Sequence, residues 1–193
     1  MHPMIWELKR LSDPITGDRG VLSVLRRGLT VPPGEYFPMF PYVRAWLTDE
    51  ECDRHFATYC LVASLYAYHP VSTPDGNLGT HMRKTMDQAA EINRDRKPPK
   101  VLAHATERRF LALLRAHPDD MPQYLYRSIA FLQSKDQGVN WDQLLKDLLH
   151  WEYNPDGVRK EWALEFWRSA SSAPNDEEMS EEDTIQVNSE TED

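Results

Sequence analysis

The chain has 193 residues, of which 40% are hydrophobic, and a formal net charge of −9. This length and composition allow a sizeable buried core and exclude a chain that is disordered throughout. The sequence lacks a run of the roughly 18 apolar residues that a membrane span needs, and its first residues lack the apolar stretch of a signal peptide. We therefore expect a cytoplasmic protein with no membrane partner.

The negative charge is concentrated in the last twenty residues. Residues 174–193 contain nine Asp and Glu and no Lys or Arg, which leaves residues 1–173 with 22 acidic and 22 basic residues. Because few of the residues in 172–193 are apolar, we expect this acidic tail to be disordered. Two interpretations of the tail stay open: a solvated segment, or an imitation of nucleic acid that competes for the protein's own basic surface.

Helical patterns begin with an amphipathic segment at residues 20–27. The prolines of VPPGEYFPMFP then predict a connector. Thr48 and Glu51 form a T-x-x-E capping box, which predicts the start of a long helix that is closed by Pro70. Within it, apolar residues recur at three- and four-residue spacing from Phe56 to Tyr66, as is typical of a buried helical face.

Five further helices are predicted at residues 78–92, 106–117, 121–132, 141–151 and 158–170, with caps at Asn77, Asp120 and Asp156. The sequence NRDRKPPKVL, with Pro98 and Pro99, predicts a second connector. No segment alternates with a period of two between hairpin turns. We therefore predict an all-α fold with two small packed helical lobes (helical bundles), residues 1–97 and 98–171. One continuous bundle is the alternative.

Basic residues occur as adjacent pairs on the polar faces of three predicted helices. On a helical wheel, Arg26 and Arg27 straddle the face opposite the apolar residues of the first helix. Cations before a C′ glycine such as Gly28 also complement the helix dipole, so this pair alone does not require a ligand.

The same arrangement recurs in two later helices. Arg83 and Lys84 lie opposite the apolar stripe of NLGTHMRKTM, and Arg108 and Arg109 lie opposite that of TERRFLALLRAH. Arg108 and Arg109 fall in the first turn of their predicted helix, where the helix dipole disfavours cations. These pairs favour a groove that binds a phosphate backbone, although ordinary polar helix faces remain the alternative.

The motifs of familiar active sites are missing from the sequence. It has no H-E-x-x-H, C-x-x-C, phosphate-binding loop or G-x-S-x-G elbow. Cys52 with His55 or His69 is at most a partial metal site. We therefore predict a protein that is not an enzyme and has no cofactor or metal.

The tryptophans near the carboxyl end favour packing over base stacking. Trp162 and Phe166 are four residues apart, and Val158 lies one turn earlier, which is the pattern of a core stripe.

Five sequence blocks, in their shared order, resemble the CasB family, the small subunit of the type I-E CRISPR surveillance complex called Cascade. They are RGVLSVLRRGLTVPPGEYFPMFPYV, CLVASLYAYHP, NLGTHMRKTM, ERRFLALLRAHPDDMPQYLYRSIAFLQSKDQGVNWDQLLKDLLHW and VRKEWALEFW. The stretch MDQAAEINRDRKPPK and the acidic tail depart from that family's pattern.

The resemblance implies an all-helical, non-catalytic subunit that is present in two copies in the complex. Its implied partners are the backbone and large subunits of Cascade, the crRNA, the target DNA and the displaced non-target strand of the R-loop, which it would stabilise without sequence specificity. DNA cutting would belong to a separate helicase-nuclease.

Carried onto this sequence, the resemblance favours the three basic pairs as the nucleic-acid-binding residues and adds Arg127 and Lys135. The alternative function is that of a structural subunit whose basic pairs dock onto neighbouring subunits.

Overall fold

The computed structural model describes residues 1–92 and 100–168 of the chain. The predicted disordered tail at residues 172–193, most of the second connector, and the end of the last predicted helix lie outside this described part.

The described part is built from nine α-helices joined by turns, and it has no strand. The single parallel bridge between Ser72 and Val139 is isolated. This confirms the all-α fold class. The helices are α1 (Pro3–Leu11), α2 (Arg19–Arg27), α3 (Phe40–Ala45), α4 (Asp49–Tyr68), α5 (Leu78–Ile92), α6 (Lys100–Leu114), α7 (Met121–Gln133), α8 (Trp141–Trp151) and α9 (Pro155–Phe166).

Helix α4 is the central element of the fold. It begins with the predicted capping box, in which the Thr48 side chain accepts a hydrogen bond from the backbone N–H of Glu51 and the Glu51 carboxylate accepts one from the backbone N–H of Thr48. From Tyr59 to Ala67 every residue is buried. A helix that is buried all round needs neighbours on every side, and α1, α2, α3, α7 and α8 pack against it.

Helices α5 and α9 pack against each other at close range because a glycine faces the contact. A Cβ atom on Gly79 of α5 would overlap the backbone carbonyl of Trp162 on α9. Trp162 itself is fully buried and donates its indole N–H to the buried carboxylate of Asp147 at 2.6 Å. The predicted core stripe of α9 is confirmed, since Val158, Trp162 and Phe166 are all buried.

The buried side chains form one contiguous cluster that includes helices from both predicted lobes. Helix α5 belongs to the first predicted lobe and packs mainly against α9 of the second. The division into two lobes at residues 97 and 98 stays a prediction.

Two helices were not predicted. Helix α1 begins at Pro3, with the His2 side chain accepting a hydrogen bond from the backbone N–H of Met4. Helix α3 begins at Phe40 inside the predicted proline connector, because Pro41 occupies the first turn, where its missing N–H is not needed.

Helix α6 begins earlier than predicted, at Lys100 rather than Thr106. Arg108 and Arg109 therefore lie in the middle of the helix, and the argument that the dipole disfavours them is wrong. The prediction failed because Pro98 and Pro99 were taken to break the chain for several residues, whereas a helix can begin immediately after proline.

Three predicted features of the helix ends also need correction. The Asp120 side chain accepts no capping hydrogen bond, and Asn154 rather than Asp156 caps α9 by accepting from the Gly157 N–H. Gly28 has right-handed helical backbone angles and continues into a 3-10 turn, so it is not a left-handed C′ residue. The predicted Asn77 cap is confirmed by its hydrogen bond from the Thr80 N–H at 3.1 Å.

Candidate nucleic-acid interface

An open groove between α6 and α7 brings three of the eight predicted binding residues together. Its volume is about 340 Å³. Arg108 and Arg109 of α6 and Arg127 of α7 line it, and all three are exposed. The remaining lining residues are Ala105, Ala112, Tyr124 and Ser128. We call this feature the basic groove.

Aromatic rings of α7 contact two of the three arginines that line the groove. The Arg109 guanidinium carbon lies 4.9 Å from the centre of the Phe131 ring, and that of Arg127 lies 5.4 Å from the Tyr124 ring. The Lys135 ammonium lies 6.0 Å from the centre of the same Phe131 ring that Arg109 contacts. These are cation–π distances, and they limit the side-chain motion of the cations without neutralising their charge. Lys135 thus extends the basic groove by one further cation.

The cations of the basic groove have no acidic partners among residues 1–92 and 100–168. The ion pairs in this part of the chain involve other basic residues, such as Arg10, Arg44 and Arg159. An exposed cluster of like charges without counter-charges produces a positive potential that attracts a polyanion. Phosphate oxygens are suitable ligands, because a guanidinium can donate two parallel hydrogen bonds to them.

Arg26 and Arg27 lie apart from the lining of the basic groove, at the end of α2. The Arg26 Nε–H donates to the carbonyl oxygen of Ala67 at 3.0 Å, in the last turn of α4. This bond satisfies a carbonyl at the end of a helix, so Arg26 has a structural role. Tyr68, the next residue of α4, packs its ring against Tyr126 of α7 at 5.2 Å. Burial raises the pKa of the Tyr68 phenol, and the charge of Arg26 opposes that rise.

Arg83 and Lys84 lie on α5 and differ in their surroundings. Arg83 is only 22% exposed, and its Nε lies 3.5 Å from the Asp87 carboxylate one turn later. Lys84 is exposed, whereas the neighbouring His81 is fully buried. Burial, together with the charge of Lys84, lowers the pKa of His81 to about 4, so this imidazole is neutral at pH 7.

The sequence of this chain matches that of a known protein family. The family model for CRISPR-associated protein Cse2 matches residues 21–167. The chain belongs to the Cse2 family. A CRISPR-associated protein Cse2 of Thermus thermophilus is 30% identical over 155 residues, which cover 78% of this chain and 80% of the relative.

Solved structures show the same fold as this Cse2-family chain. The crystal structure of CasB from Thermus thermophilus superposes with a TM-score of 0.66 at 27% identity, covering 88% of this chain and 100% of that one. A chain of a structure described as a CRISPR RNA-guided surveillance complex has a TM-score of 0.61 at 22% identity, covering 84% of this chain and 92% of that one, which shows the shared fold.

The sequence prediction for this Cse2-family chain did not include the aromatic residues of the basic groove. Tyr124 precedes Arg127 by three residues, and Phe131 precedes Lys135 by four. Residues at these spacings are neighbours on a helix surface, so the pattern indicates that a ring lies beneath each cation. The contact between Arg109 and Phe131 joins two helices, and no local pattern indicates it.

The histidines considered for a metal site have other partners. The His55 Nδ1–H donates a hydrogen bond to the Glu152 carboxylate at 2.7 Å, and the His69 Nε2–H donates one to the carbonyl oxygen of Gln137 at 2.8 Å. Burial raises the pKa of the Cys60 thiol to about 12, with a further contribution from Cys52. In the part of the chain that the structure describes, no group of three or more His, Cys, Asp or Glu side chains is arranged to hold a metal ion.

None of the helices within residues 1–92 and 100–168 combines the length and the apolar character that a membrane crossing requires.

Proposed function

We propose that this chain is the small subunit of a CRISPR RNA-guided surveillance complex of the Cascade type, and that its basic groove binds nucleic-acid backbone without sequence specificity. Within the complex it would help to hold the guide RNA and the target DNA, and it would stabilise the displaced non-target strand of the R-loop. The observation that carries the proposal is the basic groove on a Cse2-family fold.

The chemistry of the groove supports recognition of backbone rather than of base sequence. The basic groove offers guanidinium groups beside small side chains such as Ala105 and Ala112, which leave room for a phosphate backbone. Guanidinium groups bind phosphates of any sequence. The Tyr124 ring adds a surface on which any base can stack.

Modest binding energy is sufficient for this role. Formation of an R-loop exchanges a DNA duplex for an RNA–DNA heteroduplex of similar stability, so a few backbone contacts to the displaced strand can change its lifetime. The proposal gives this chain no catalytic step of its own. A cytoplasmic location and a second copy of the chain within the complex belong to the same proposal.

Charge reversal in the basic groove tests the proposal. We would reconstitute the surveillance complex with the variant Arg108→Glu/Arg127→Glu and measure the R-loop lifetime. We expect a lifetime at least about tenfold shorter, because each lost charge-assisted contact costs about 1.5 kcal/mol or more. The matched control is Arg54→Glu/Lys160→Glu, which reverses two exposed charges outside the groove and should leave the lifetime unchanged.

Native mass spectrometry of the same complexes separates binding from assembly. Full occupancy by the variant subunit with an unchanged R-loop lifetime would overturn the role of the basic groove. Loss of the subunit from the complex would instead support the structural alternative, in which the cations dock onto neighbouring subunits. Arg27 and Lys84, which are exposed outside the groove, would then be tested in the same assay.

A further inference from the structure

We propose that the acidic segment of residues 174–193 binds the basic groove within its own chain and must be displaced before nucleic acid can bind there. The first half of this inference, occupation of the groove by the segment, does not depend on nucleic acid. The second half, competition, rests on the proposed function.

The charges of the two partners are complementary. Six of the nine acids of the segment fall within residues 176–183, and the segment contains no Lys or Arg. The basic groove presents Arg108, Arg109 and Arg127, none of which forms an ion pair within the described part of the chain. A run of carboxylates resembles a single strand of nucleic acid in its spacing of negative charge, so both fit the same cations.

The end of α9, after which the segment follows in the sequence, packs against α6. The Phe166 ring stacks on the Phe110 ring of α6 with 4.3 Å between the ring centres, and the Trp167 ring lies 5.8 Å from the same ring. Phe110 directly follows Arg109, which lines the groove. The chain therefore leaves the described part while it is in contact with the helix that provides half of the groove.

The distance to be covered is short relative to the length of chain available. Seven residues lie between Arg168 and Asp176, so the chain advances by eight residue steps from one to the other. When extended, these eight steps span at most about 28 Å, whereas the whole of α6, with 15 residues, is about 22 Å long. The first acids can therefore reach any point along the groove.

Three other basic residues are less suitable partners for the segment. Arg26 donates to the Ala67 carbonyl, Arg83 pairs with Asp87, and Arg159 pairs with Asp156. These contacts would have to be broken before a carboxylate of the segment could take their place. Arg109 donates a longer hydrogen bond, of 3.4 Å, to the Ala105 carbonyl oxygen, but none of the three arginines that line the groove forms an ion pair in the described part of the chain.

Carbodiimide cross-linking tests occupation of the groove without nucleic acid, because it joins an amine to a carboxylate only when the two are in contact. We would use the full chain with Arg127→Lys, which keeps the charge and places an amine in the groove. We expect cross-links from residues 176–183 to Lys135 and to the introduced lysine to exceed those to Lys146 and Lys160 by about fivefold or more. Equal yields at all four amines would overturn the inference.

Affinity for single-stranded DNA tests competition. In the full chain, the six acids of residues 176–183 would be replaced by Asn or Gln, and binding of labelled oligo-dT would be measured at low salt. A tethered segment acts at an effective concentration of about 1 mM, so a segment that binds with a dissociation constant of about 0.1 mM would weaken DNA binding about tenfold. We therefore expect the neutralised variant to bind DNA about tenfold more tightly.

The same neutralisation in the Arg108→Glu/Arg127→Glu background distinguishes groove competition from a general effect of net charge. Competition predicts that the gain in affinity disappears in this background, and a gain that persists would overturn it. If neither chain binds DNA while the cross-links still favour the groove, the proposed function fails and occupation of the groove stands.

Discussion

The Glu51 side chain joins the residue before α1 to the first turns of α4. Its carboxylate receives hydrogen bonds from the His2 imidazole at 2.8 Å and from the Tyr59 hydroxyl at 3.1 Å, and it also completes the capping box with Thr48. Burial by itself would raise the pKa of Glu51. The hydrogen bonds from His2, Thr48 and Tyr59 outweigh burial and lower the pKa from its ordinary value of 4.5 to about 2.

This lowered pKa predicts a pH dependence of stability. A carboxylate with a lower pKa in the folded than in the unfolded state contributes stability above pH 4.5, and the contribution is lost as the pH falls from 4.5 to 2. We expect Glu51→Gln to be less stable than the parent chain at pH 7, with a difference that shrinks towards pH 2. Urea unfolding of both proteins at several pH values measures this difference in the free energy of unfolding.

The exposed neighbour Glu50 provides the control for this prediction. It forms an exposed ion pair with Arg54 across one helical turn, so Glu50→Gln should change the free energy of unfolding by less than about 0.5 kcal/mol. A Glu51→Gln difference that stayed constant from pH 7 to pH 2 would contradict the assigned pKa.

At the scale of elements, two glycines permit contacts that no larger residue would allow. Gly28 follows α2 and packs under α4, where an added Cβ would overlap the Ser64 hydroxyl and lie 2.9 Å from the Met39 sulfur. Gly79 brings α5 against the backbone of α9. Both glycines lie in helical turns, where residues with a side chain are also allowed. Glycine is required at these positions because the neighbouring elements come too close to leave room for a Cβ atom.

We expect Gly79→Ala to destabilise the protein by about 2 kcal/mol or more, because the Trp162 carbonyl belongs to a helix backbone and can move only if α9 moves. Gly20→Ala is the matched control, since Gly20 is exposed on α2 and its added Cβ would approach only the Asp18 side chain, at 3.1 Å. Its effect should be within about 1 kcal/mol and favourable in sign through helix propensity. Thermal or urea unfolding measures the change in stability of both variants. Equal changes in the free energy of unfolding would refute the explanation by close packing of α5 on α9.

At the scale of the whole molecule, the distribution of charge matters more than its sum. The chain carries a formal net charge of −9, yet the basic groove presents a row of cations without described acidic partners. Attraction of a polyanion depends on the local potential, which at physiological ionic strength extends only about 8 Å. Acids elsewhere in the chain oppose binding mainly if they come close to the groove.

The dependence of DNA binding on salt measures how many of these cations contact phosphate. If Arg108, Arg109, Arg127 and Lys135 each neutralise one phosphate of a single strand, the logarithm of affinity should fall with the logarithm of salt concentration at a slope of about −3. Fluorescence anisotropy with labelled oligo-dT between 50 and 200 mM salt measures the slope.

Reversal of Arg108 and Arg127 should reduce the steepness of this slope by about one unit or more. The control Arg54→Glu/Lys160→Glu should leave it unchanged. An identical slope in all three proteins would show that these cations do not contact the phosphates.

Local sequence patterns predicted most of the helices correctly. The capping box at Thr48, the helix at Leu78–Ile92 and the helix at Trp141–Trp151 were all predicted within a residue of their observed ends. These features depend on hydrogen bonds and apolar spacing within a few residues, which the sequence displays directly. Proline-rich stretches were predicted less well, because proline both ends and begins helices.

The sequence by itself determined that the chain is helical, that its acidity lies in the last twenty residues, and that several of its basic residues are adjacent in the chain. Only the tertiary structure decided which cations share a surface. Arg26 lies against the end of α4 and Arg83 against its own helix, whereas Arg108, Arg109 and Arg127 meet in one groove. The reason is that the periodicity of a single helix determines which of its side chains lie on the polar face, whereas the packing of α6 on α7 determines which cations of the two helices become neighbours.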